Sequence, residues 1–148
     1  MEFDKDFLGK LFEQAVTNPR LRQNFDLRTS PADTSQRMLN ALLPGTKVPI
    51  HRHENTTETV ICLVGKLEEI IYEEVNEYVH EATSCCDDVI RQKSFKEVSR
   101  QILSPAEGKF GIQIPAGTWH TINVIEPSVI FEAKDGAYNE SGNTTDKE

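Results

Sequence analysis

Long apolar runs are missing from this chain of 148 residues. The longest strictly apolar stretch, Val60 to Val64, falls far short of a membrane span or the core of a signal peptide, so a cytoplasmic protein with no membrane partner is expected. An excess of positive charge is missing too: the net charge is -8 and the pI about 5.0, whereas nucleic-acid binders need a basic stripe along the phosphates. No nucleic-acid partner is expected. Cysteine is scarce, with three in all. Cys85 and Cys86 are adjacent and cannot form a disulfide of ordinary geometry with each other, and Cys62 sits in an apolar run as a small hydrophobe. A soft metal site around Cys85 and His80 is conceivable, but the usual zinc patterns separate their cysteines by about two to four residues. Repeats and low-complexity tracts are absent, and the length suits one ordinary globular domain with one core.

What is present centres on Gly45 to Gly65, which contains Ile50-His51-Arg52-His53-Glu54-Asn55-Thr56-Thr57-Glu58. A strand repeats its side-chain direction every second residue, so His51 and His53 project from one face. The polar Glu54 to Thr57 has turn chemistry, and a hairpin there brings Glu58 back beside the two imidazoles. Val60 to Val64 then anchors the second strand. A fourth ligand is needed, and Pro115-Ala116-Gly117-Thr118-Trp119-His120 supplies one, a Pro/Gly turn feeding a strand that starts with histidine. The expected cofactor is one divalent metal ion held by His51, His53, Glu58 and His120. Three imidazoles and a carboxylate close a tetrahedral zinc shell but leave two positions open on octahedral iron, manganese, nickel or cobalt.

The spacing resembles the first cupin motif: Gly45, His51, His53, Glu58 and Gly65 fall at its positions, and Pro115, Gly117 and His120 match the core of the second. The second motif departs at Lys109, where the family has Gly, and at Asn123, one residue early. With the flanks Asn18 to Arg22, Gln36 to Leu42 and Glu132 to Tyr138 included, the chain resembles the WbuC-type cupin-fold metalloproteins over residues 4 to 76 and 98 to 138. Arg28 and Ala137 stand where that group commonly has His and Pro. The resemblance implies an all-β fold, a cupin double-stranded β-helix of jelly-roll type with one N-terminal amphipathic helix. It also implies a small-molecule ligand, with a carbohydrate-derived substrate and surface-polysaccharide metabolism as the setting. The reaction would be that of a metal-dependent isomerase, lyase or oxygenase. The rivals are a non-catalytic metal- or ligand-binding module, and a metal that only ties the sheets together. A homodimer is a further expectation.

Along the chain, residues 1–28 form a helical segment, 29–134 the barrel and 135–148 a mobile Gly/Asn/Thr-rich tail. Asp4 to Val16 places Phe7, Leu8, Leu11, Phe12, Ala15 and Val16 on one helical stripe, and Asn18-Pro19 stops it. Arg20, Arg22 and Arg28 make a basic segment that either holds an anionic substrate group or pairs with surface carboxylates. Gln36 to Leu43 reads as a strand with Arg37, Leu39, Ala41 and Leu43 on one face; if that face lines the barrel, Arg37 is a substrate clamp. Lys66 to Glu74 and Glu97 to Leu103 read as strands flanking an insertion loop, 76–96, with neither a two-residue nor a helical period. Phe110 to Ile114, Thr118 to Ile125 and Ser128 to Ala133 complete the series, with Glu126-Pro127 as the last turn. Trp119 falls on the strand face opposite His120 and is expected to pack outside the site. Glu132 and Lys134 share a face and are the candidate catalytic base and acid.

Overall fold

The computed structural model describes residues 1–83, 86–136 and 143–145. The helical stripe folds as expected into α1 (Lys5–Thr17), whose first turn is capped by the Asp4 carboxylate accepting from the Phe7 amide at 2.8 Å. It ends where Asn18, ahead of Pro19, turns to an extended conformation. The strands are β1 (Arg22–Asp26), β2 (Ser35–Leu42), β3 (His51–His53), β4 (Glu58–Thr83), β5 (Cys86–Leu103), β6 (Gly111–Ile114), β7 (Trp119–Asp135) and β8 (Asn143–Thr145). Their pairings are all antiparallel.

Two long strands, β4 and β7, run beside each other through a shared corner. Before it, Glu58 to Val64 of β4 pair with Lys134 to Val129 of β7; after it, Lys66 to Tyr72 pair with Glu126 to Trp119, with register shifts clustered around Gly65. The first half extends into the order β1-β2-β7-β4-β6 and the second into β8-β3-β7-β4-β5. This is the double-stranded, jelly-roll arrangement expected from the sequence. Gly65 makes the corner possible. Its φ is +96°, and a Cβ there would lie 2.2 Å from the Pro127 carbonyl oxygen, a distance no side chain tolerates.

The core is divided by the barrel wall. Inside, Leu42, Val60, Cys62, Leu67, Leu103, Ile114, Val124 and Ile130 pack together. Outside, Leu11 and Ala15 of α1 cover Leu39, Ala41 and Val129. The outward residues of β2 and β7 therefore sit under the helix, and both faces of these strands are sequestered from water.

Three expectations are corrected. Residues 76–96 are not a loop: β4 and β5 continue past the barrel as a two-stranded ribbon, with Asn76 opposite Lys93, Val79 opposite Ile90 and Thr83 opposite Cys86. Cross-strand backbone bonding holds this ribbon, and its residues 76–80 and 89–94 are exposed, so no alternation of apolar residues was required there; Tyr78 is 70% and Val89 54% exposed. Its base packs, where Phe95 meets Trp119 edge-on at 4.8 Å between centroids and Lys93 lies 4.4 Å over the indole. Glu126-Pro127 does not end a strand, since β7 bends there and continues. Within the tail, Asn143–Thr145 pair with β3 as an edge strand. Residues 137–142 and 146–148, and Cys85 of the suggested soft metal site, lie outside the described residues.

The corner yields a direct test. Gly65→Val adds both a forbidden φ and a collision with backbone, and should cost at least about 2 kcal/mol of unfolding free energy in urea titration. A loss under about 0.5 kcal/mol would show that the corner can move.

Candidate metal centre

The four ligands come from three strands. His51 and His53 are the two inward residues of β3, His51 pairs with His120 near the start of β7, and Glu58 opens β4. One ligand atom from each residue lies within 4.8 Å of those of the other three. Nε2 of His53 is 2.7 Å and Nε2 of His120 3.4 Å from Oε2 of Glu58. Glu58 and His120 are buried at 5% and 3% exposure.

Outer contacts aim the rings. His51 Nδ1 lies 2.9 Å from the Pro49 carbonyl oxygen and His120 Nδ1 2.9 Å from that of Thr118. A carbonyl only accepts, so each Nδ1 carries the proton and donates, leaving the Nε2 lone pairs turned inward. His53 Nδ1 lies 3.4 Å from Lys134 Nζ. Oε2 of Glu58 is the point on which Nε2 of His53 and Nε2 of His120 converge. Imidazole lone pairs and a carboxylate oxygen crowded together repel one another unless a cation lies among them. A divalent ion fits this donor set.

The electrostatics agree. Burial, then the neighbouring His120, pulls His51 down to about 4. Burial would raise Glu58, but His120 and His53 outweigh it and hold the carboxyl well below its usual range. Glu69 and Glu132 shift the other way: burial, reinforced by the charge of Glu58, pushes both well up. Burial lowers Lys134 against the opposing charges of Glu58 and Glu132.

The site lies in a cavity of about 500 Å³. Register along β4 and β7 arranges its inward side chains in layers. Glu58, Lys134 and His120 share the metal layer; Val60, Glu132, Ile122 and Glu69 form the next; Cys62, Ile130, Leu67 and Val124 form an apolar floor at the corner. Glu132 and Lys134 thus fall where the sequence placed them, on one face beside the ligands. Arg37 does not. Gln36, Met38 and Asn40 line the cavity, whereas Arg37 shares the helix-facing side of β2 with Leu39 and Ala41, its Nη2 2.6 Å from Asp33 Oδ2 and 3.4 Å from the Leu27 carbonyl oxygen. The substrate-clamp assignment fails because the apolar face of β2 is buried under α1 and not in the barrel. Trp119 lies outside the cavity lining, 4% exposed, with Arg52 4.6 Å above its ring.

Two groups in the cavity were not singled out as site residues from the sequence. Glu69 interrupts the inward face of Leu67 and Ile71 in β4, and that interruption of an apolar face was the available signal. Arg20, Arg22 and Arg28, left open between substrate and surface, line the same cavity as the ligands.

For the chelator-treated protein, the low His51 value sets a slope of stability with pH. Between pH 6.5 and 4 the unfolded chain takes up a proton at residue 51 that the folded chain refuses, so this contribution is lost as pH falls, reaching about 3 kcal/mol at ~1.36 kcal/mol per unit. Glu69 and Glu132 slope oppositely, so the quantity to measure is the difference between wild type and His51→Gln. Parallel curves for the two proteins would contradict a buried, neutral His51.

Comparison with known proteins places this geometry. A search of curated proteins by sequence finds no match. Solved structures do match in fold. An oxalate oxidase in complex with the substrate analogue glycolate superposes with a TM-score of 0.55 at 12% identity over 87% of this chain, and this chain spans 57% of it. The capsular polysaccharide assembling protein CapF from Staphylococcus aureus matches with a TM-score of 0.54 at 17% identity, over 87% of this chain and 32% of that one. A protein from Rhodospirillum rubrum described as a cupin-2 domain matches with a TM-score of 0.52 at 12% identity, over 86% of this chain and 66% of its own. At these identities the likeness is one of fold, and the fold is the cupin barrel. In sequence, residues 3–83 match a family model described as a domain of unknown function (DUF6016). That match takes in more than half of the chain, including His51, His53 and Glu58, and the protein belongs to this family.

Proposed function

We propose that the protein binds one divalent metal ion through His51, His53, Glu58 and His120 and acts there on a small, polar, carbohydrate-derived molecule. The observation that carries this reading is the shared space: the four convergent donors open onto a cavity of about 500 Å³ that also contains Glu132 and Lys134. That volume is in the range of small-molecule sites, about 300–1,000 Å³. A purely structural ion would need no such cavity. The sequence resemblance to WbuC-type proteins supports surface-polysaccharide metabolism as the setting, and the likeness to CapF adds only the fold.

Iron, manganese, nickel or cobalt suits the reading better than zinc, since an octahedral ion keeps two positions for a ligand. When bound, such an ion supplies a Lewis acid that polarises a ligand oxygen. The protein's own residues supply the proton chemistry. Glu132, one layer below the ions' donors and raised by burial and Glu58, serves as base, and Lys134, lowered by burial, as acid. The two shifts bring both groups toward neutrality, where proton transfer works best, with typical contributions of about 10² to 10⁴-fold.

Purified protein should carry one divalent ion per chain by plasma emission, and the His51→Ala/His120→Ala double variant should lose most of it. Stoichiometric metal in that variant would sink the assignment. With manganese loaded, open positions should exchange water and enhance water-proton relaxation; no enhancement would leave the ion a structural role. Glu132→Ala and Lys134→Ala should keep the metal but lose turnover. If both leave ligand binding and stability unchanged as well, the catalytic roles are wrong and the protein is a binding module.

A further inference from the structure

The cavity holds more hydrogen-bonding capacity than metal chemistry uses. Oε2 of Glu69, Oε1 of Gln36 and Oδ1 of Asn40 are all buried from solvent and meet no donor. Glu69 and Gln36 are 2% and 7% exposed. An unmet buried acceptor costs roughly 1–3 kcal/mol, and three in one cavity mark a place where something else donates. They sit on different walls: Gln36 and Asn40 on β2, Glu69 across the barrel on β4. Acceptors on opposite walls suit a molecule with donors on several sides, which is the character of a polyol.

The same cavity has a cationic wall. Arg20, Arg22 and Arg28 lie on or beside β1 and line it together. Arg28 is committed to Asp26 through contacts of 2.9 to 3.2 Å, and Arg22 donates one bond, Nη1 to the Lys47 carbonyl oxygen at 2.9 Å. Among the described residues lining the cavity on that wall, Asp26 is the only carboxylate, so two guanidinium charges exceed the local acid. Burial and then the proximity of Arg20 disfavour the charged form of Arg22, whereas Glu132 favours it, so Arg22 faces both a like charge and the catalytic layer. Guanidinium groups drawn together over a cavity are the usual recognition element for carboxylate and phosphate.

We infer that the ligand is a monosaccharide-sized polyol bearing one anionic group, its hydroxyls donating to Gln36, Asn40 and Glu69 and its anion held by Arg20 and Arg22. This rests on the proposed metal site, which would hold the reacting oxygen between the two subsites. Carboxylate and phosphate meet a guanidinium in the same way, so a sugar acid and a sugar phosphate belong to the same class.

The test is calorimetric titration of the full-length, manganese-loaded protein, with metal content measured on the same sample. The probes are D-glucuronate, D-glucose 6-phosphate, D-glucose and propionate. At least one anionic sugar should bind ten times more tightly than both D-glucose and propionate, and the tighter of the two identifies the anion. Arg22→Gln should remove that tenfold preference without changing metal content, and Arg20→Gln, at an exposed position, gives the same reading should the first fail to fold. Asn40→Ala should weaken the sugars and leave propionate alone. Stoichiometric metal with no preference among the four probes overturns this inference and leaves the metal site standing. Absence of metal removes the underlying reading, and this one with it.

Discussion

The meeting of the four donors depends on a fold in a strand pair. Glu58 stands opposite Lys134 and His120 opposite Ile71, so the two ligands occupy opposite ends of the β4–β7 ladder. From Glu58 to Ile71 is 13 residue steps, and at about 3.3 Å per step a straight ladder would hold the ligands roughly 40 Å apart. They are 3.4 Å apart. The doubling-back at Gly65 and Pro127 makes the difference, which is why the glycine that no side chain can replace lies far from the ions' donors in space yet governs their meeting. β3 then needs only three residues to complete the set, because pairing His51 with His120 fixes its position.

Once the ends meet, charge becomes the controlling quantity. Glu58 keeps its charge in a buried place through the two histidines beside it, and that charge in turn raises the proton affinity of Glu69 and Glu132. Three carboxyl groups inside one barrel would be untenable if all were ionised. The interior tolerates them because the imidazoles favour the charged form of Glu58, whereas burial and the charge of Glu58 disfavour the charged forms of Glu69 and Glu132. A cation at the four donors would weaken the field of Glu58 on the other two, so metal binding and the proton affinity of Glu132 are coupled through space. Site and stability are set by the same few groups, the usual cost of placing polar chemistry in a core.

The convergence of His51, His53, Glu58 and His120 was legible in the sequence because metal chemistry admits few residue types at fixed spacing. That Glu132 and Lys134 share a face was legible too from their two-residue spacing, whereas the register of β7 against β4 was needed to turn that face inward. Arg37 was not, because β2 is covered on both sides: Leu39 and Ala41 face the helix while Leu42 faces the barrel, so apolarity could not say which phase points inward. The ribbon beyond the barrel escaped for the opposite reason. Residues 76–80 and 89–94 of its strands are exposed, and backbone pairing alone leaves no period in the side chains. The bend at Pro127 looked like a turn because the same Pro signal serves both when a glycine on the neighbouring strand leaves room.

The layering of the cavity bears on how selective the site can be. Apolar contacts discriminate weakly between related ligands, since one methylene changes binding by only ~1–3 kcal/mol, whereas an acceptor built for a hydroxyl rejects a ligand that lacks it far more strongly. Here the floor at the corner is apolar throughout, whereas the walls above it interleave Val60, Ile122 and Met38 with imidazoles, acids and amides. Water can satisfy those groups, but each ordered water costs up to ~2 kcal/mol of immobilisation entropy, and one ligand bearing several hydroxyls replaces several waters at once. On the proposed function, selectivity would reside in the polar groups of the middle layer, one residue pair below the four donors, where Glu69 and Glu132 interact. Val60 and Ile122 of that layer pack on the apolar floor and Glu132 meets Glu58, so the layer joins the floor to the four donors.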